Sequence, residues 1–445
     1  MNSRLLLWIL AIAILPLWIL DDELLGAYYA IVLTLCFLLL YVNSAIKSME
    51  KLMCPLSILV FFSSLYTIAG ITMWAYREVN FTNWGGQFWP VLQTFTIVDY
   101  VITVYAYIYI ERKGTRVLVT NSGIRIKPIS FGILLILEYL GIYLFTAGFK
   151  FIPLLAADID EERFLLGEAD RPGAGIGSLL INLGILCLID IYYSKTYKLK
   201  KIVLFIVVYI PFVLYGGRFL MIMPLVILVM LWFVQKVKSI RWKLIVKVAI
   251  GLGLAFGIMM FYGTFRKAGN DIETDLVLDF VTGDLFPEFR GSIGSFTLNK
   301  KDLTFDYWGF LLTSFFPGSI TKIFGVDKSS QISIGSYVAQ LLGFEGNFGI
   351  RTSFTGELLL TNPFTFIVIW GILLTIVSKL SSIYFKAKTW NYRKIVIMYL
   401  GLNLGTVIPY GISLLPNTII LIVFILIISE FIFKNGKKKR IKYQV

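Results

Sequence analysis

Runs of about twenty apolar residues recur from one end of this chain to the other, and they decide what it can fold into. Inside a bilayer no water is available to the backbone, so each segment must satisfy its own N–H and C=O groups, and a helix does that. Candidate spans are 5–20, 24–42, 55–75, 90–110, 129–149, 176–191, 202–216, 219–234, 244–262, 354–378, 395–414 and 417–433. Composition agrees. Hydrophobic residues make up 58% of the chain, against about 45–50% in soluble domains, and the mean hydropathy is +0.80. The expected fold class is an all-α integral membrane protein with about twelve transmembrane helices. A second apolar run follows the first at once, so the first is expected to stay as a helix.

Charge sets the expected orientation. Counting loops alternately from an inner N-terminus, the inner set is KSMEK, ERKGTRVLVTNSGIRIKP, YYSKTYKLKK, QKVKSIRWK, KAKTWNYRK and the tail KNGKKKRIKYQV. These hold most of the Lys and Arg, and the outer loops take most of the acids. Both termini are therefore expected on the cytoplasmic side of a multi-pass protein of the cell inner (cytoplasmic) membrane. The formal net charge of +14 is read as this topology signal and not as a nucleic-acid surface.

One long stretch breaks the pattern. The expected division is 1–262 for spans one to nine with short loops, 263–353 for an outer loop, 354–433 for spans ten to twelve, and 434–445 for a basic inner tail. Loops in compact proteins run about 4–6 residues, and much longer ones are usually functional or disordered. The 263–353 stretch is too rich in Phe, Leu, Ile and Gly for disorder. It is expected to be an ordered cap holding most of the active site. Within it, 307–316 and 332–342 read as short interfacial or re-entrant helices.

Residue counts narrow the chemistry. The chain has no histidine, which removes imidazole bases, histidine metal sites and Ser–His or Cys–His nucleophiles. Its three cysteines, Cys36, Cys54 and Cys187, lie in or beside apolar runs and form no disulfide framework. No metal site and no cofactor are expected. Carboxylates, arginine, lysine and tyrosine remain.

Four arginines stand at expected outer positions, against the positive-inside bias: Arg218, Arg266, Arg290 and Arg351. Arg218, Arg290 and Arg351 each have glycine within two residues, which lets a backbone or ligand come close. Guanidinium is planar and permanently charged and suits phosphate, so a pyrophosphate at the outer surface is the expected ligand. Glu357, six residues after Arg351, opens the next apolar run. Its bland reading is a carboxylate favoured by a helix dipole. Its catalytic reading is a general base toward a sugar hydroxyl, or a group that orients that hydroxyl. Asp99, Glu138 and Asp190 lie in or near spans and are read as structural, Asp99 and Asp190 where a Lys or Arg could pair with them. The clusters Asp21-Asp22-Glu23 and Asp158-Ile159-Asp160-Glu161-Glu162 could hold a divalent cation but read as ordinary outer-loop acids.

At Gly217-Arg218, and at Ser353-Phe354-Thr355-Gly356-Glu357-Leu358 with Asn362, the chain resembles the Wzy-type bacterial polymerases of O-antigen and capsular repeat units. After the Asn many members of that family have Phe-Gly, where this chain has Pro363-Phe364. The resemblance implies a GT-C-like membrane glycosyltransferase. It would join undecaprenyl-pyrophosphate-linked oligosaccharides at the outer face of the membrane and release undecaprenyl pyrophosphate. It implies the lipid-linked oligosaccharide and the bilayer as partners, with a flippase and a chain-length regulator nearby. The resemblance covers Arg218, Arg351 and Glu357; together with the reading of the outer arginines, the expected catalytic residues are Arg351 and Glu357, and the expected pyrophosphate residues are Arg218, Arg266, Arg290 and Arg351. Three alternatives stay open. O-antigen ligases share the layout but usually carry an outer-loop histidine. Other lipid-phosphate-dependent GT-C enzymes have an acidic step such as Asp21-Asp22-Glu23 after the first helix. A polysaccharide flippase or transporter would want broken helices and polar residues at mid-membrane.

Overall fold

The computed structural model describes residues 8–9, 11–20, 23–45, 48–77, 88–113, 119–120, 126–150, 152, 173–194, 197–215, 218–236, 307–315, 334–341, 353–361, 363–387, 389–390, 392–412 and 414–437. Among them the chain is helical apart from one two-residue strand pair. In order come α1 (Glu23–Ala45), α2 (Pro55–Arg77), α3 (Phe88–Glu111), β1 (Val119–Thr120), α4 (Pro128–Phe145), α5 (Ala174–Ile181), α6 (Gly184–Tyr193), α7 (Lys198–Leu214) and α8 (Arg218–Lys236). Then follow α9 (Tyr307–Ser314), α10 (Ile334–Leu341), α11 (Phe354–Leu359), α12 (Pro363–Lys386), β2 (Thr389–Trp390), α13 (Tyr392–Gly405), α14 (Val407–Tyr410) and α15 (Leu414–Lys437).

Among the described residues, seven helical segments are long and apolar enough to cross a membrane: Leu25–Ala45, Pro55–Thr72, Val91–Glu111, Pro128–Phe145, Ala174–Tyr193, Pro363–Lys386 and Leu414–Phe433. Their outward faces fit that solvent. On α4 the exposed large side chains are Ile129, Ile133, Ile136, Leu140 and Tyr143, and on α15 Val423, Ile427 and Phe431. These steps of three and four residues draw one stripe along each helix. A soluble helix would carry polar residues there.

Several expected spans come out differently, each for a local reason. Of 5–20, the structure places a 3-10 turn at Leu15–Trp18 with Pro16 in its first turn. The 129–149 run stops at Phe145, because Ala147, Gly148 and Phe149 all take positive φ. The 176–191 run is two helices, parted by a turn at Asn182 and Leu183. The 354–378 run is likewise two, since α11 ends at Leu359 and Pro363 starts α12. The 395–414 run becomes α13 and the four-residue α14, halted at Gly411 with φ +93°. The two short helices expected within 307–316 and 332–342 are present as α9 and α10. The 244–262 span and most of 263–353 lie outside the described residues.

The chain forms two compact units. The first holds residues 1–115, 277–385 and 401–420. There α1, α2 and α3 pack on one another, α14 packs on both α2 and α11, and polar side chains tie the helices together. Pro55 opens α2, which leaves the Leu56 N–H without a partner in its own helix. Ser381 Oγ of α12 accepts it at 3.1 Å. Tyr109 of α3 donates to the Ser378 carbonyl at 3.2 Å, and Tyr105 meets Ser378 Oγ at 2.7 Å.

The second unit holds residues 116–276, 386–400 and 421–445. Its broadest helix–helix contact joins α4 to α5 through glycine. A Cβ on Gly177 would sit 2.6 Å from the Gly141 carbonyl oxygen, and one on Gly141 would sit 2.8 Å from the Gly177 carbonyl oxygen. Small residues at such a crossing let two backbones touch, which is how helices associate where burial from water drives nothing. Tyr139 of α4 donates to the Val207 carbonyl of α7 at 2.8 Å, and Tyr209 of α7 to Met221 of α8 at 2.8 Å. The turn between α5 and α6 uses Asn182, whose Nδ2 donates to Ser178 and whose Oδ1 accepts from the Tyr399 hydroxyl. Strands β1 and β2 pair in parallel, Val119 with Thr389 and Thr120 with Trp390.

Candidate functional site

The Ser353–Leu358 motif folds as a short helix of its own in the first unit. Ser353 is the N-cap of α11, and its Oγ accepts the Gly356 N–H at 3.1 Å. Serine suits that task, because a helix start leaves backbone donors free. Its backbone is unusual, with φ +55° and ψ +164°. Residues other than glycine rarely hold that conformation, which costs roughly 1–3 kcal/mol and persists only when the surroundings impose it. The surroundings are tight: Phe354 is fully buried and meets Trp370 of α12 edge-on, with ring centroids 4.9 Å apart. Thr361 closes the other end, its Oγ donating to the Leu358 carbonyl at 2.6 Å.

Glu357 lies in the middle of this piece and is 3% exposed. Its Oε2 accepts the backbone N–H of Ile412. The preceding Gly411 has φ +93°, and a Cβ there would collide with the Glu357 carboxyl. The carboxylate thus sits directly on the chain where α14 gives way to α15. Two interrupted helices meet at one acidic side chain, through α11 and α14.

The arginines can be placed less fully. Arg218 is the first residue of α8, in the second unit. Its side chain lies outside the described residues, as do Arg266, Arg290, Arg351, Gly217, Asn362, Asp21, Asp22 and the acidic cluster at 158–162. Among the described side chains, Glu357 is therefore the candidate site residue with a defined environment.

The three other acids in spans have separate settings. Asp99 of α3 is fully buried, and Ser64 Oγ donates to its two oxygens at 3.0 and 3.1 Å. A hydroxyl takes the place of the Lys or Arg expected there. Asp190 of α6 accepts the Ile126 N–H at 2.8 Å. Glu138 of α4 is fully buried against Gly184 and Phe212, and among the described residues neither of its oxygens has a hydrogen-bond partner. Among the described residues, no group of three or more His, Cys, Asp or Glu could hold a metal ion.

The chain matches no family model, no curated protein and no solved structure. Function must then be argued from the residues themselves. Sequence reasoning singled out Glu357 and missed its partners Gly411 and Ile412. A signal for them exists: Pro409, Gly411 and Pro416 fall within eight residues of an otherwise apolar run, and such residues punctuate a helix. Lys394, fully buried near the start of α13, was missed too, and nothing in its local sequence marks it.

Proposed function

We propose that the chain polymerises oligosaccharide repeat units carried on undecaprenyl pyrophosphate, at the outer face of the cytoplasmic membrane. In this reading it is a glycosyltransferase that uses no nucleotide sugar. The growing glycan moves from its lipid pyrophosphate to a hydroxyl of the next lipid-linked unit, and undecaprenyl pyrophosphate leaves. Arg218, Arg266, Arg290 and Arg351 bind the pyrophosphate and stabilise charge on the departing bridging oxygen. Glu357 serves the acceptor hydroxyl, as its base or by orienting it. The leaving group is already a good one, so positioning and charge stabilisation carry most of the rate.

One observation carries the reading. The motif that resembles the Wzy-type polymerases is also where the backbone is irregular: Ser353 at φ +55°, Gly411 at φ +93°, and the buried Glu357 carboxylate between them. Irregular backbone and buried charge are costly in a membrane protein and collect at functional sites. The loops before α4 and after α12, both expected inside on charge, pair through β1 and β2, which is compatible with a shared side.

The test is direct. The purified protein in liposomes receives only undecaprenyl-pyrophosphate-linked repeat units. Lengthened glycan and released undecaprenyl pyrophosphate are expected. A strict need for nucleotide sugar overturns the reading. The second reading, a lipid-linked-glycan flippase, is favoured by the two broken helices, since transporters build sites from such breaks. It predicts that the same substrate crosses the bilayer unchanged.

A further inference from the structure

One oxygen of the Glu357 carboxylate is held by backbone. Oε2 takes the Ile412 N–H, and the carboxyl fills the space that any side chain at residue 411 would need. Its own helix is held in turn by the Ser353 cap and by the Phe354–Trp370 contact. Ile412 sits just past the end of α14, where the next backbone bonds are short-range ones, Leu414 N–H to Gly411 and Leu415 N–H to Ile412. The break therefore depends on a side chain from another element to satisfy its amide. A buried N–H without an acceptor is costly, so losing that side chain would let the break shift or rewind.

Of the two roles proposed above, base or orienting group, we infer the second: Glu357 is a positioning residue that braces the Gly411–Ile412 break between α14 and α15, and this break, unassigned by the motif, is part of the site. The inference rests on the polymerase reading above for what is positioned, and on geometry alone for the brace. Glutamine keeps an acceptor oxygen for Ile412 and loses only the charge. A base cannot be replaced that way, because an amide takes no proton from a hydroxyl.

Elongation and amide exchange are measured side by side, on the full chain in liposomes. Glu357→Gln is expected to retain elongation within about tenfold of the parent, reflecting the weaker neutral hydrogen bond. The acidic limb of its pH–rate profile should be unmoved. Glu357→Ala and Gly411→Ala are expected to lose about 10²-fold, the scale of a small misplacement of reacting groups. Hydrogen–deuterium exchange of the peptide spanning 411–412 should be slow in the parent and in Glu357→Gln and fast in Glu357→Ala. Peptides from α4 and α5 serve as the control for an intact fold. The inference is overturned if Glu357→Gln is as inactive as Glu357→Ala and loses the acidic limb, which is the signature of a base. It is equally overturned if exchange at 411–412 is the same in Glu357→Ala as in the parent. A parent protein that does not elongate sinks the polymerase reading, and the exchange result then decides the brace by itself.

Discussion

Buried acids in this chain differ in what they are given. Asp99 has a serine hydroxyl, Asp190 and Glu357 have backbone N–H groups, and Glu138 has Gly184 and Phe212 against it. A buried polar group left without a partner costs about 1–3 kcal/mol. Glu138→Met, similar in length and wholly apolar, is expected to raise the melting temperature in detergent by removing that cost. Elongation should be unchanged. Loss of elongation in a better-folded variant would instead make Glu138 a working residue. At Arg351 the expectation follows from shape. Lysine keeps the charge but loses the planar fork, so Arg351→Lys should fall nearly as far as Arg351→Ala, by about 10²–10³ in elongation rate. Lys328→Ala, a charge change in the same 263–353 stretch, is the control and should do little. Full-length polymer from a well-expressed Arg351→Ala variant would reduce that arginine to an anchor. These residues were unequally legible. Glu357 stands out in sequence as a carboxylate at the mouth of an apolar run, but its partner is a backbone amide fifty-five positions away, and any residue type except proline offers one.

Elements were legible where hydropathy alone defines them. The runs at 24–42, 55–75 and 90–110 became α1, α2 and α3 with small changes at their ends. Breaks inside apolar runs were not, because an interrupted helix within protein keeps the same apolar side chains as an intact one. The turn at Asn182 and Leu183 carries no proline, the glycine that follows it, Gly184, already belongs to α6, and the polar Asn182 amide is absorbed by Ser178 and Tyr399. The crossing of α4 and α5 yields a sharper expectation. The backbones touch at Gly141 and Gly177, with no room for a methyl group on either. Gly177→Leu should therefore force the helices apart, at a cost of about 1–3 kcal/mol or more. The melting temperature in detergent should drop, while Gly175→Leu, on the same helix with nothing near its Cβ, should leave it unchanged. Equal losses at both positions would mean that the crossing does not set the effect, since leucine is the better helix former and propensity alone would stabilise both variants.

At the scale of the whole molecule the open quantity is which segments share a side of the membrane. On the charge asymmetry we propose the loops before α4 and after α12, together with the tail, for the inside, and 263–353 for the outside. The pairing of β1 with β2 adds a constraint that hydropathy does not contain, because two loops that hydrogen-bond cannot lie across a bilayer from each other. Single cysteines at Val119, Thr389, Ser295 and Gln444 test both together. The background replaces Cys36, Cys54 and Cys187. Replacing the buried Cys54 and Cys187 should matter less for labelling than replacing Cys36, and at Cys54 burial raises the thiol above the ordinary range and leaves less of the reactive thiolate at neutral pH. With a membrane-impermeant maleimide applied from outside, Ser295→Cys should label in intact cells. Val119→Cys, Thr389→Cys and Gln444→Cys should label only after the membrane is opened. Labelling of Val119→Cys and Thr389→Cys from opposite sides would break the strand pair. Labelling of Gln444→Cys from outside would invert the map and, with it, place the Glu357 site on the face where nucleotide sugars, and not lipid-linked repeat units awaiting export, are found.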